Sequence, residues 1–331
     1  MSKKIGWGIL GCGKIAKKMA ADLRLVADAD LRFVAARQRQ HAVAFAREFN
    51  VPNAGDYFDL VRRPDVDVIY VATPHGLHDE HVRLCLENGK AVLCEKAFTI
   101  NARQAQELIA LAKTRGLFLM EAFWTRFLPH YEKAREVITT LGNIRYVQAE
   151  FGFKPTPPVA DRIYNPALGG GSLLDIGVYP VFLALDVLGK PDEIAAVMSP
   201  ATTGVDEQCA IRFQYANGAL AQLFSSFSVN LATGADIAGT HGRLRLTHRF
   251  HGPTAQLEYY PGPVDTRQLI ETERAKGNGY EYEARHVTQC LQRGLTESPV
   301  RPLRDTLLLM ETLDAIRKQM GLIYSVDGLS K

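Results

Sequence analysis

A lysine stands at the end of a short apolar segment in Val92-Leu93-Cys94-Glu95-Lys96. A second apolar segment, near the start of the chain, runs into Gly11-Cys12-Gly13-Lys14-Ile15-Ala16. Short apolar segments of this kind are typical of buried strands, and open α/β sheets bind ligands beyond the carboxyl ends of their strands. We therefore expect Lys96 to meet the reactive part of a ligand bound at this edge.

The pattern Gly11-x-Gly13-x-x-Ala16 follows a predicted strand and opens a predicted helix. In such a turn the first glycine allows the tight bend, and the second lets backbone N–H groups approach a pyrophosphate. An ordinary glycine turn is the alternative, but the strand-turn-helix-strand context favours a nucleotide site. The predicted cofactor contacts are Gly11, Cys12, Gly13, Lys14 and Ile15.

The next predicted strand, Leu31 to Ala36, is followed by Arg37, at a position where NAD enzymes usually carry an acid for the ribose hydroxyls. An arginine there can pair with a 2′-phosphate and stack on adenine. A solvated basic loop, Arg37-Gln38-Arg39, is the alternative. The sequence predicts NADP in preference to NAD.

Other polar and aromatic residues near predicted strand ends are candidates for cofactor or substrate contacts. Thr73 and Pro74 either line the cofactor cleft or form an ordinary strand-exit turn. His75 and His78 either contact a ligand or cap a helix. Glu95 is a further cofactor candidate. Arg126 for the cofactor and Trp124 for cofactor and substrate have interdomain packing with a surface ion pair as the alternative. Arg162 and Tyr164 are candidates for the substrate, with loop packing as the alternative.

Short apolar segments alternate with helical patterns over the first 121 residues, which is the order that builds a parallel sheet. Strands are predicted over Ile5–Leu10, Leu31–Ala36, Val68–Ala72, Ala91–Cys94 and Phe118–Glu121. Helices are predicted over Ala42–Phe49, His81–Asn88 and Ala102–Arg115, the last two with a glycine cap. This α/β pattern predicts a doubly wound parallel sheet in a dinucleotide-binding domain, residues 1–122.

After Trp124 the pattern changes to longer alternating runs, which predict an α+β domain with a large open, mostly antiparallel sheet over residues 123–331. Strands are predicted over Arg145–Phe151, Gln208–Tyr215, Ala219–Val229 and Gly242–Thr247. Asn217-Gly218 is a strong hairpin signal between two of them. Helices are predicted over Pro129–Leu141, Leu173–Leu188 and Leu303–Met320.

Composition narrows the function classes. The 39 basic and 36 acidic residues nearly cancel, and no basic stripe predicts a nucleic-acid partner. Five scattered cysteines predict a reduced cytoplasm, and no group of residues has the spacing of a metal site. The start of the chain has a signal-like charge, but the apolar run Ile5 to Leu10 is short and ends in glycines rather than a cleavage site, so we expect no signal peptide. We also expect no segment to approach the roughly 20 apolar residues of a membrane span.

Five ordered segments resemble the Gfo/Idh/MocA oxidoreductases over essentially the whole chain, most closely the dihydrodiol dehydrogenase branch. These segments are Ala72-Thr73-Pro74-His75-Gly76-Leu77-His78, Gly89 to Lys96, Met120 to Phe127, Gly169 to Tyr179, and Gly279-Tyr280-x-Tyr282-Glu283. The resemblance implies a Rossmann domain and an open-sheet domain that builds the substrate pocket and commonly a homodimer interface.

The resemblance also implies catalytic roles. Lys96 takes the place of the family's Glu-Lys-Pro lysine, and Tyr179 that of the tyrosine proposed as acid/base in this branch. Many members carry Asp and His four residues apart where this chain has Asp175 and Tyr179. Asp175 is expected either to orient the substrate or Lys96, or to be a helix N-terminal carboxylate. Ala97 departs from the motif, which has proline at that position.

Oxidising a carbinol requires a base for the proton at the alcohol oxygen. A tyrosine, with an ordinary pKa of about 10, is a poor base at neutral pH unless a nearby ammonium favours the phenolate. Lys96 could supply that ammonium and also stabilise negative charge on the substrate oxygen. Tyr179 and Lys96 are therefore the expected catalytic pair.

These observations predict an NADP-dependent oxidoreductase that acts on a carbinol or carbonyl of a cyclic polyol or sugar, of the dihydrodiol or aldose dehydrogenase type. One alternative is a keto-sugar or 1,5-anhydrofructose reductase, and another is a sugar oxidoreductase that holds its cofactor permanently. A third is a non-catalytic NADP-binding regulatory protein. A pure binder has no need of a base, so Lys96 and Tyr179 argue against the third alternative.

Overall fold

The computed structural model describes residues 4–157, 162–262 and 266–328. The chain divides into two compact units: Met1–Phe127 with Ala275–Leu307, and Leu128–Arg274 with Leu308–Lys331. The first boundary lies five residues beyond the predicted one, and a later segment rejoins the first unit. The sequence-based division, which runs the second domain without interruption from residue 123, does not include this return.

The first unit contains a six-stranded sheet in which every pair of neighbours is parallel. Its strand order is β3-β2-β1-β4-β5-β6, and all residues of β1, β4, β5 and β6 are buried, as expected for a sheet covered on both faces. The strands are β1 (Ile5–Leu10), β2 (Ala29–Ala35), β3 (Asn53–Gly55), β4 (Val68–Val71), β5 (Ala91–Glu95) and β6 (Leu119–Ala122). The predicted doubly wound parallel sheet is confirmed, although the three-residue β3 was not predicted.

Helices connect these strands: α1 (Lys14–Leu23), α2 (Arg39–Glu48), α3 (Tyr57–Val61), α4 (His78–Glu87) and α5 (Ala102–Arg115). The α5 bounds match the prediction because its ends are marked in the sequence. Asn101 accepts a hydrogen bond from the Gln104 N–H at the start, and Gly116 has a left-handed backbone at the end. Helices α2 and α4 each begin three residues before the predicted start. Their first turns are polar, so the apolar pattern on which the prediction relied begins only one turn later.

The second unit contains helix α6 (Pro129–Ile138) and an eight-stranded sheet of order β14-β13-β12-β11-β7-β10-β9-β8. All neighbours are antiparallel except β7 and β10. The strands are β7 (Ile144–Gly152), β8 (Glu193–Pro200), β9 (Asp206–Gln214), β10 (Leu220–Ser226), β11 (Ala235–Gly239), β12 (Gly242–Thr247), β13 (Gln256–Tyr260) and β14 (Gln268–Ile270). The mostly antiparallel sheet is confirmed, as is the Asn217-Gly218 hairpin between β9 and β10.

Three further helices complete the described chain: α7 (Val178–Leu188), α8 (Tyr280–Gln292) and α9 (Leu303–Met320). The bounds of α9 match the prediction. The predicted helix Leu173–Leu188 is wrong in its first turn, because Leu173–Gly177 is a π-helical turn and the α-helix begins only at Val178.

One stretch of the described residues, Pro166–Leu188, has the length and apolar character of a membrane-spanning helix. The expectation that no segment approaches this length was therefore wrong. The core helix of a folded domain meets the same criterion, and 72% of the most apolar window in this stretch is buried inside the protein. Burial within the second unit accounts for its composition.

Candidate active site

The turn between β1 and α1 presents an open helix N-terminus. Gly13 precedes α1 in an extended conformation, and a Cβ atom built there would meet nothing within 4 Å. No side chain caps the helix, and its first turn carries no acid. Backbone N–H groups at such an end attract anions, so the turn fits the predicted pyrophosphate. Lys14 is exposed beside it, and Ile15 is half-buried.

Cys12 lies in this turn but is not a reactive thiol. Its Sγ atom donates a weak hydrogen bond to the Ala35 carbonyl oxygen at 3.5 Å. Burial raises the pKa of the Cys12 thiol to about 11, so it stays protonated at neutral pH. Gly11 donates its N–H to the same Ala35 oxygen at 2.8 Å, which ties the turn to β2.

Arg37 lies exposed beyond the end of β2. The neighbouring Arg39 is ion-paired with Asp59, Nη1 to Oδ2 at 3.2 Å, and Asp59 also closes the capping box of α3 with Asp56. The Arg37 backbone hydrogen-bonds the Tyr57 hydroxyl, and the Arg37 guanidinium interacts electrostatically with the same phenol. Asp59 is therefore engaged by Arg39 and by the capping box, and Arg37 lies exposed to solvent at the carboxyl end of β2.

The turn after β4 is held by two histidines. His81 Nδ1 lies 3.0 Å from Thr73 Oγ1. His78 is fully buried, with Nε2 2.7 Å from the Thr73 oxygen and Nδ1 2.9 Å from the Ala97 oxygen. Burial lowers the pKa of His78 to about 4. The His78 ring thus ties the loop after β4 to the loop that follows Lys96, which leaves no ring nitrogen for the predicted cofactor contact.

Pro74 and His75 lie in the same turn. Pro74 has an extended backbone and precedes a 3₁₀ turn, His75–Leu77. The His75 ring packs edge-on against His78 with centroids 5.7 Å apart, and 5% of His75 is exposed. This arrangement keeps Thr73 and Pro74 partly exposed at the carboxyl end of β4.

Lys96 leaves the carboxyl end of β5 and is partly exposed. The preceding Glu95 is buried, accepting hydrogen bonds from the Tyr70 hydroxyl and from the Lys96 N–H. Burial raises the pKa of Glu95 to about 7. Glu95 therefore supports the strand end from inside, rather than presenting its carboxylate to a cofactor as predicted. The Lys96–Ala97 peptide bond is cis, a conformer otherwise found mainly before proline.

Trp124 and Arg126 lie in the 3₁₀ turn Trp124–Phe127 after β6, and both are buried. The Trp124 ring stacks on Tyr280 with centroids 4.6 Å apart and 10° between the ring planes. Tyr280 begins α8, and its N–H donates to Asp22 Oδ2 at 2.9 Å. The Gly-Tyr-x-Tyr-Glu segment noted in the sequence thus supplies the surface on which Trp124 rests.

In the second unit, Tyr179 is the second residue of α7 and is 6% exposed. Its ring packs against His251, with centroids 4.5 Å apart, and against Phe151, at 5.9 Å. Asp175 lies one turn earlier, in the π-helical segment, where Arg162 Nη2 is 3.4 Å from both carboxylate oxygens. The structure thus brings together Arg162 and Asp175, two of the predicted substrate residues.

The turn that precedes Tyr179 rests on a buried polar network. Asp206 Oδ2 accepts hydrogen bonds from Ser172 Oγ at 2.7 Å and from the Leu173 N–H at 2.6 Å. Ser225 Oγ lies 2.9 Å from Ser172 Oγ. Burial raises the pKa of Asp206 to about 6. Tyr164, another candidate, donates its hydroxyl to Glu207 at 3.3 Å.

Comparison with known proteins identifies the family. A model described as "Oxidoreductase family, NAD-binding Rossmann fold" matches residues 5–123, and one described as "GFO/IDH/MocA C-terminal domain" matches residues 131–245. A trans-1,2-dihydrobenzene-1,2-diol dehydrogenase from Bos taurus is 39% identical over 331 residues, which covers 97% of this chain and 98% of the relative. Its Homo sapiens counterpart is 38% identical, with the same coverage.

The chain belongs to the Gfo/Idh/MocA oxidoreductase family. Two solved structures share its fold over nearly the whole chain. A 3-ketoreductase from Actinomadura kijaniata, in complex with NADP and TDP-benzene, is 29% identical with a TM-score of 0.87, covering 96% of this chain and 98% of its own. An aldose-aldose oxidoreductase from Caulobacter crescentus, complexed with glycerol, is 25% identical with a TM-score of 0.87, covering 96% and 97%.

As a Gfo/Idh/MocA member, the protein is a nicotinamide-dependent dehydrogenase or reductase that acts on CH–OH groups. The family resemblance drawn from the five segments is therefore confirmed, together with the fold. Within the described residues, no group of three or more His, Cys, Asp or Glu side chains is arranged to hold a metal ion.

Sequence reasoning missed several residues around these Gfo/Idh/MocA motifs. Tyr280 stacks on Trp124, His251 and Phe151 contact Tyr179, and Asp206 holds the turn before it. Tyr280 had a visible signal, since it lies in one of the quoted segments. His251, Phe151 and Asp206 lie on separate elements, and no local pattern indicates which helix each will pack against.

Proposed function

We propose that the protein is an NADP-dependent oxidoreductase that transfers a hydride between nicotinamide and a carbinol or carbonyl of a cyclic polyol or sugar. The observation that carries the proposal is the position of Lys96. It leaves the carboxyl end of β5, and β5 lies next to β4 and two strands from the β1 turn that presents the open helix N-terminus. Parallel strands end at one edge, so these features share the ligand-binding edge of the sheet.

The cofactor residues fit a dinucleotide. Gly11 and Gly13 allow a pyrophosphate to approach the start of α1, and Arg37 meets the 2′-phosphate beyond β2. Thr73 and Pro74 line the same edge after β4. When bound, the nicotinamide supplies the hydride acceptor or donor, and the chain's own residues supply the proton transfer.

The proton transfer is assigned to Lys96 and Tyr179. Tyr179 exchanges the proton of the substrate hydroxyl, and the Lys96 ammonium favours the phenolate and stabilises negative charge on the substrate oxygen. Asp175, held by Arg162, orients the substrate hydroxyls from the turn before Tyr179. Removing a positioned acid/base typically lowers the rate about a hundredfold to ten-thousandfold.

The NADP preference is tested by two matched arginine variants. A charge-assisted hydrogen bond to phosphate is worth roughly 1.5 to 3 kcal/mol, or about tenfold to a hundredfold in affinity. Arg37→Ala should raise the dissociation constant for NADP by that factor and leave NAD binding unchanged. Arg39→Ala, which removes an arginine already paired with Asp59, should change neither constant. Equal binding of NAD and NADP by the wild type would contradict the preference.

The substrate class is supported by the relatives, which include a dihydrobenzenediol dehydrogenase, an aldose-aldose oxidoreductase and a ketoreductase. A screen of cyclic trans-diols, aldoses and keto sugars, with NADP and NADPH, should give turnover with at least one member of this group. Reduction of keto sugars alone would favour the reductase alternative. Nicotinamide absorbance in the purified protein would indicate a permanently held cofactor. Binding of NADP without any turnover would favour the regulatory alternative.

A homodimer through the eight-stranded sheet is supported by an exposed groove of about 620 Å³ on that sheet. Val197 on β8 lines the groove with 69% of its surface exposed, and Leu269 on β14 is 61% exposed outside it. Sedimentation at micromolar concentration should give twice the 36.7 kDa chain mass. Val197→Asp should shift this mass towards the monomer, whereas Phe58→Asp, at an exposed apolar position of the first unit, should not. A wild type that stays monomeric would contradict the proposed homodimer but not the proposed catalytic function.

A cytoplasmic location is supported by five free cysteines, four of which are buried. Free thiols persist in a reducing compartment. Fractionation of the producing cells should recover the protein with cytoplasmic markers, and recovery with the membrane or exported fraction would contradict this location.

A further inference from the structure

Tyr324 lies beyond helix α9, and its side chain reaches the glycine run that precedes the Asp175 turn. Its hydroxyl donates to the Gly170 carbonyl oxygen at 2.6 Å, and only 3% of Tyr324 is exposed. A Cβ atom built on the next residue, Gly171, would lie 3.2 Å from the same hydroxyl. The segment after α9 is therefore packed directly against the glycine run.

The position of Tyr324 is set by a buried arginine on α9. Arg317 Nη1 donates to Asp327 Oδ2 at 2.7 Å, and the same oxygen accepts the Tyr324 N–H at 2.8 Å. Arg317 Nη2 also pairs with Asp314 at 2.6 Å, and the guanidinium lies 5.2 Å from the centre of the Tyr324 ring. Because Arg317 is 4% exposed, solvent screens these charges little. The hydroxyl is thus held towards Gly170 by several buried contacts.

Gly170 lies where two segments of the proposed substrate site meet. A Cβ atom there would lie 2.5 Å from the Ile163 oxygen, and the Gly171 N–H donates to that oxygen at 2.7 Å. Ile163 directly follows Arg162, so these contacts tie the glycine run to the segment that carries this arginine. The Gly171 oxygen in turn accepts the Asp175 N–H at 3.3 Å. The Tyr324 hydroxyl therefore contacts the junction between the two segments.

A purely stabilising role would make this hydrogen bond equivalent to others in the second unit. Tyr215 provides a comparison, because its hydroxyl donates to the Gly189 oxygen at 3.2 Å, just beyond the carboxyl end of α7. Both tyrosines contact a glycine carbonyl next to the helical segment that carries Tyr179. The bond to Gly189 holds the far end of α7, whereas the bond to Gly170 holds the end that leads into the site.

We propose that Tyr324 is a positioning residue for the reaction: its hydroxyl, through the Gly170 carbonyl, fixes the turn from which Asp175 and Tyr179 reach the substrate. The inference rests on the proposed roles of Asp175 and Tyr179. A misplacement of about 1 Å can lower a rate roughly a hundredfold, so a contact with the backbone affects the reaction without touching the substrate. Tyr324 lies outside the segments that carry the family resemblance.

The test compares Tyr324→Phe with the matched control Tyr215→Phe, since each removes one hydroxyl and keeps the ring. The single-turnover rate of hydride transfer is measured in the full-length protein, with saturating NADP and a substrate found by the screen. Tyr324→Phe should lower this rate at least about tenfold and Tyr215→Phe by less than about threefold. The NADP dissociation constants of both should stay within about threefold of wild type, and urea denaturation should show both variants folded under the assay conditions.

A second comparison separates the positioning of Tyr179 from a general loss of activity. Added to Tyr179→Phe, the Tyr324→Phe change should lower the rate by a factor at least about threefold smaller than in the wild-type background, because coupled groups show non-additive losses. If Tyr324→Phe does not fold, Asp327→Asn takes its place. It weakens the ion pair with Arg317 and keeps the hydroxyl, so it should lower the wild-type rate at least about threefold and show the same non-additivity.

Three results would overturn the inference while wild-type turnover upholds the proposed function. They are an unchanged rate in the Tyr324→Phe variant or its replacement, an equal loss in Tyr215→Phe, and the same factor of loss with and without the Tyr179 hydroxyl. A wild type with no turnover on any substrate would overturn the proposed function and, with it, this inference.

Discussion

Two glycine-rich turns, one in each unit, differ in what surrounds them. In the first unit, Gly13 is exposed, and a Cβ atom there would meet nothing within 4 Å. In the second unit, Gly171 is buried with φ of +119°, and a Cβ atom would overlap Asp206 Oδ1 and lie 3.2 Å from the Tyr324 hydroxyl. Both turns open helical segments that carry site residues.

The difference shows that glycine serves two purposes in this protein. At Gly13 the missing side chain leaves the start of α1 open, which fits the proposed pyrophosphate site, where backbone N–H groups would bind the anion. At Gly171 the missing side chain leaves room for Asp206, which accepts the Leu173 N–H and starts the segment leading to Asp175 and Tyr179. The turn at Gly13 is formed by neighbouring residues, whereas the turn before Tyr179 depends on Asp206, which lies far along the chain.

The largest expected effect comes from closing the second turn. Gly171→Ala adds a side chain at an unfavourable φ and in a filled space, and each of these costs roughly 1 to 3 kcal/mol. We expect the free energy of unfolding to fall by about 2 to 5 kcal/mol, measured by urea denaturation of the full chain. Gly262→Ala is the control, since a Cβ there also meets nothing within 4 Å. A loss no greater than that of the control would remove the distinction between the two turns.

The next effect concerns the carboxyl group that fills the space beside Gly171. Burial raises the pKa of Asp206 to about 6, above its ordinary value of 3.8. The contribution of protonated Asp206 to the free energy of unfolding is therefore fully present below about pH 4 and is lost as pH rises through 6. The loss is about 3 kcal/mol at most. Buried Glu95, with a pKa of about 7, adds a loss of the same sign in the first unit.

Asp206→Asn should remove its share of this pH dependence. The stability of the variant relative to wild type, followed by urea denaturation from pH 4 to 7.5, should therefore rise with pH. Parallel curves for the two proteins would mean that Asp206 does not resist ionisation in the folded state.

The smallest expected effect comes from filling the open turn. Gly13→Ala should leave the unfolding free energy within about 0.5 kcal/mol of wild type, because φ is −81° and no atom lies near the added methyl group. The methyl group would instead crowd the pyrophosphate, so the NADP dissociation constant should rise about tenfold, or about 1.4 kcal/mol. Calorimetric titration with NADP measures the dissociation constants of Gly13→Ala and of the control, Gly262→Ala. Unchanged NADP affinity in Gly13→Ala would place the pyrophosphate elsewhere.

The same contrast explains how much could be predicted from the sequence. The strand β1, helices α5 and α9, and the position of Lys96 after β5 were predicted correctly or nearly so, because apolar periodicity, caps and strand ends are local signals. The segments that resemble the family also indicated Tyr179 and Asp175 as candidate site residues. The sequence also predicted the open sheet, although β8, whose residues are all partly or fully exposed, lacks a buried face and was missed.

The remaining features depend on contacts between distant segments. The return of Ala275–Leu307 to the first unit, the stack of Tyr280 on Trp124 and the contact of His251 with Tyr179 have no local periodicity to indicate them. The π-helical turn Leu173–Gly177 is apolar throughout except for Asp175, so its pattern cannot be told from that of an α-helix. His78 and Glu95 were predicted as cofactor contacts because their positions fit, but burial directs both side chains to internal partners.

The central claim is that Lys96 and Tyr179 act together in proton transfer, and a double-mutant cycle on the single-turnover rate tests it most directly. Tyr179→Phe and Lys96→Met should each lower the rate at least about a hundredfold with NADP affinity largely intact. The double variant should be no more than about threefold slower than the slower single variant, since groups that act as a unit show non-additive losses. Losses that multiply in the double variant, or near-normal rates in both single variants, would contradict the account.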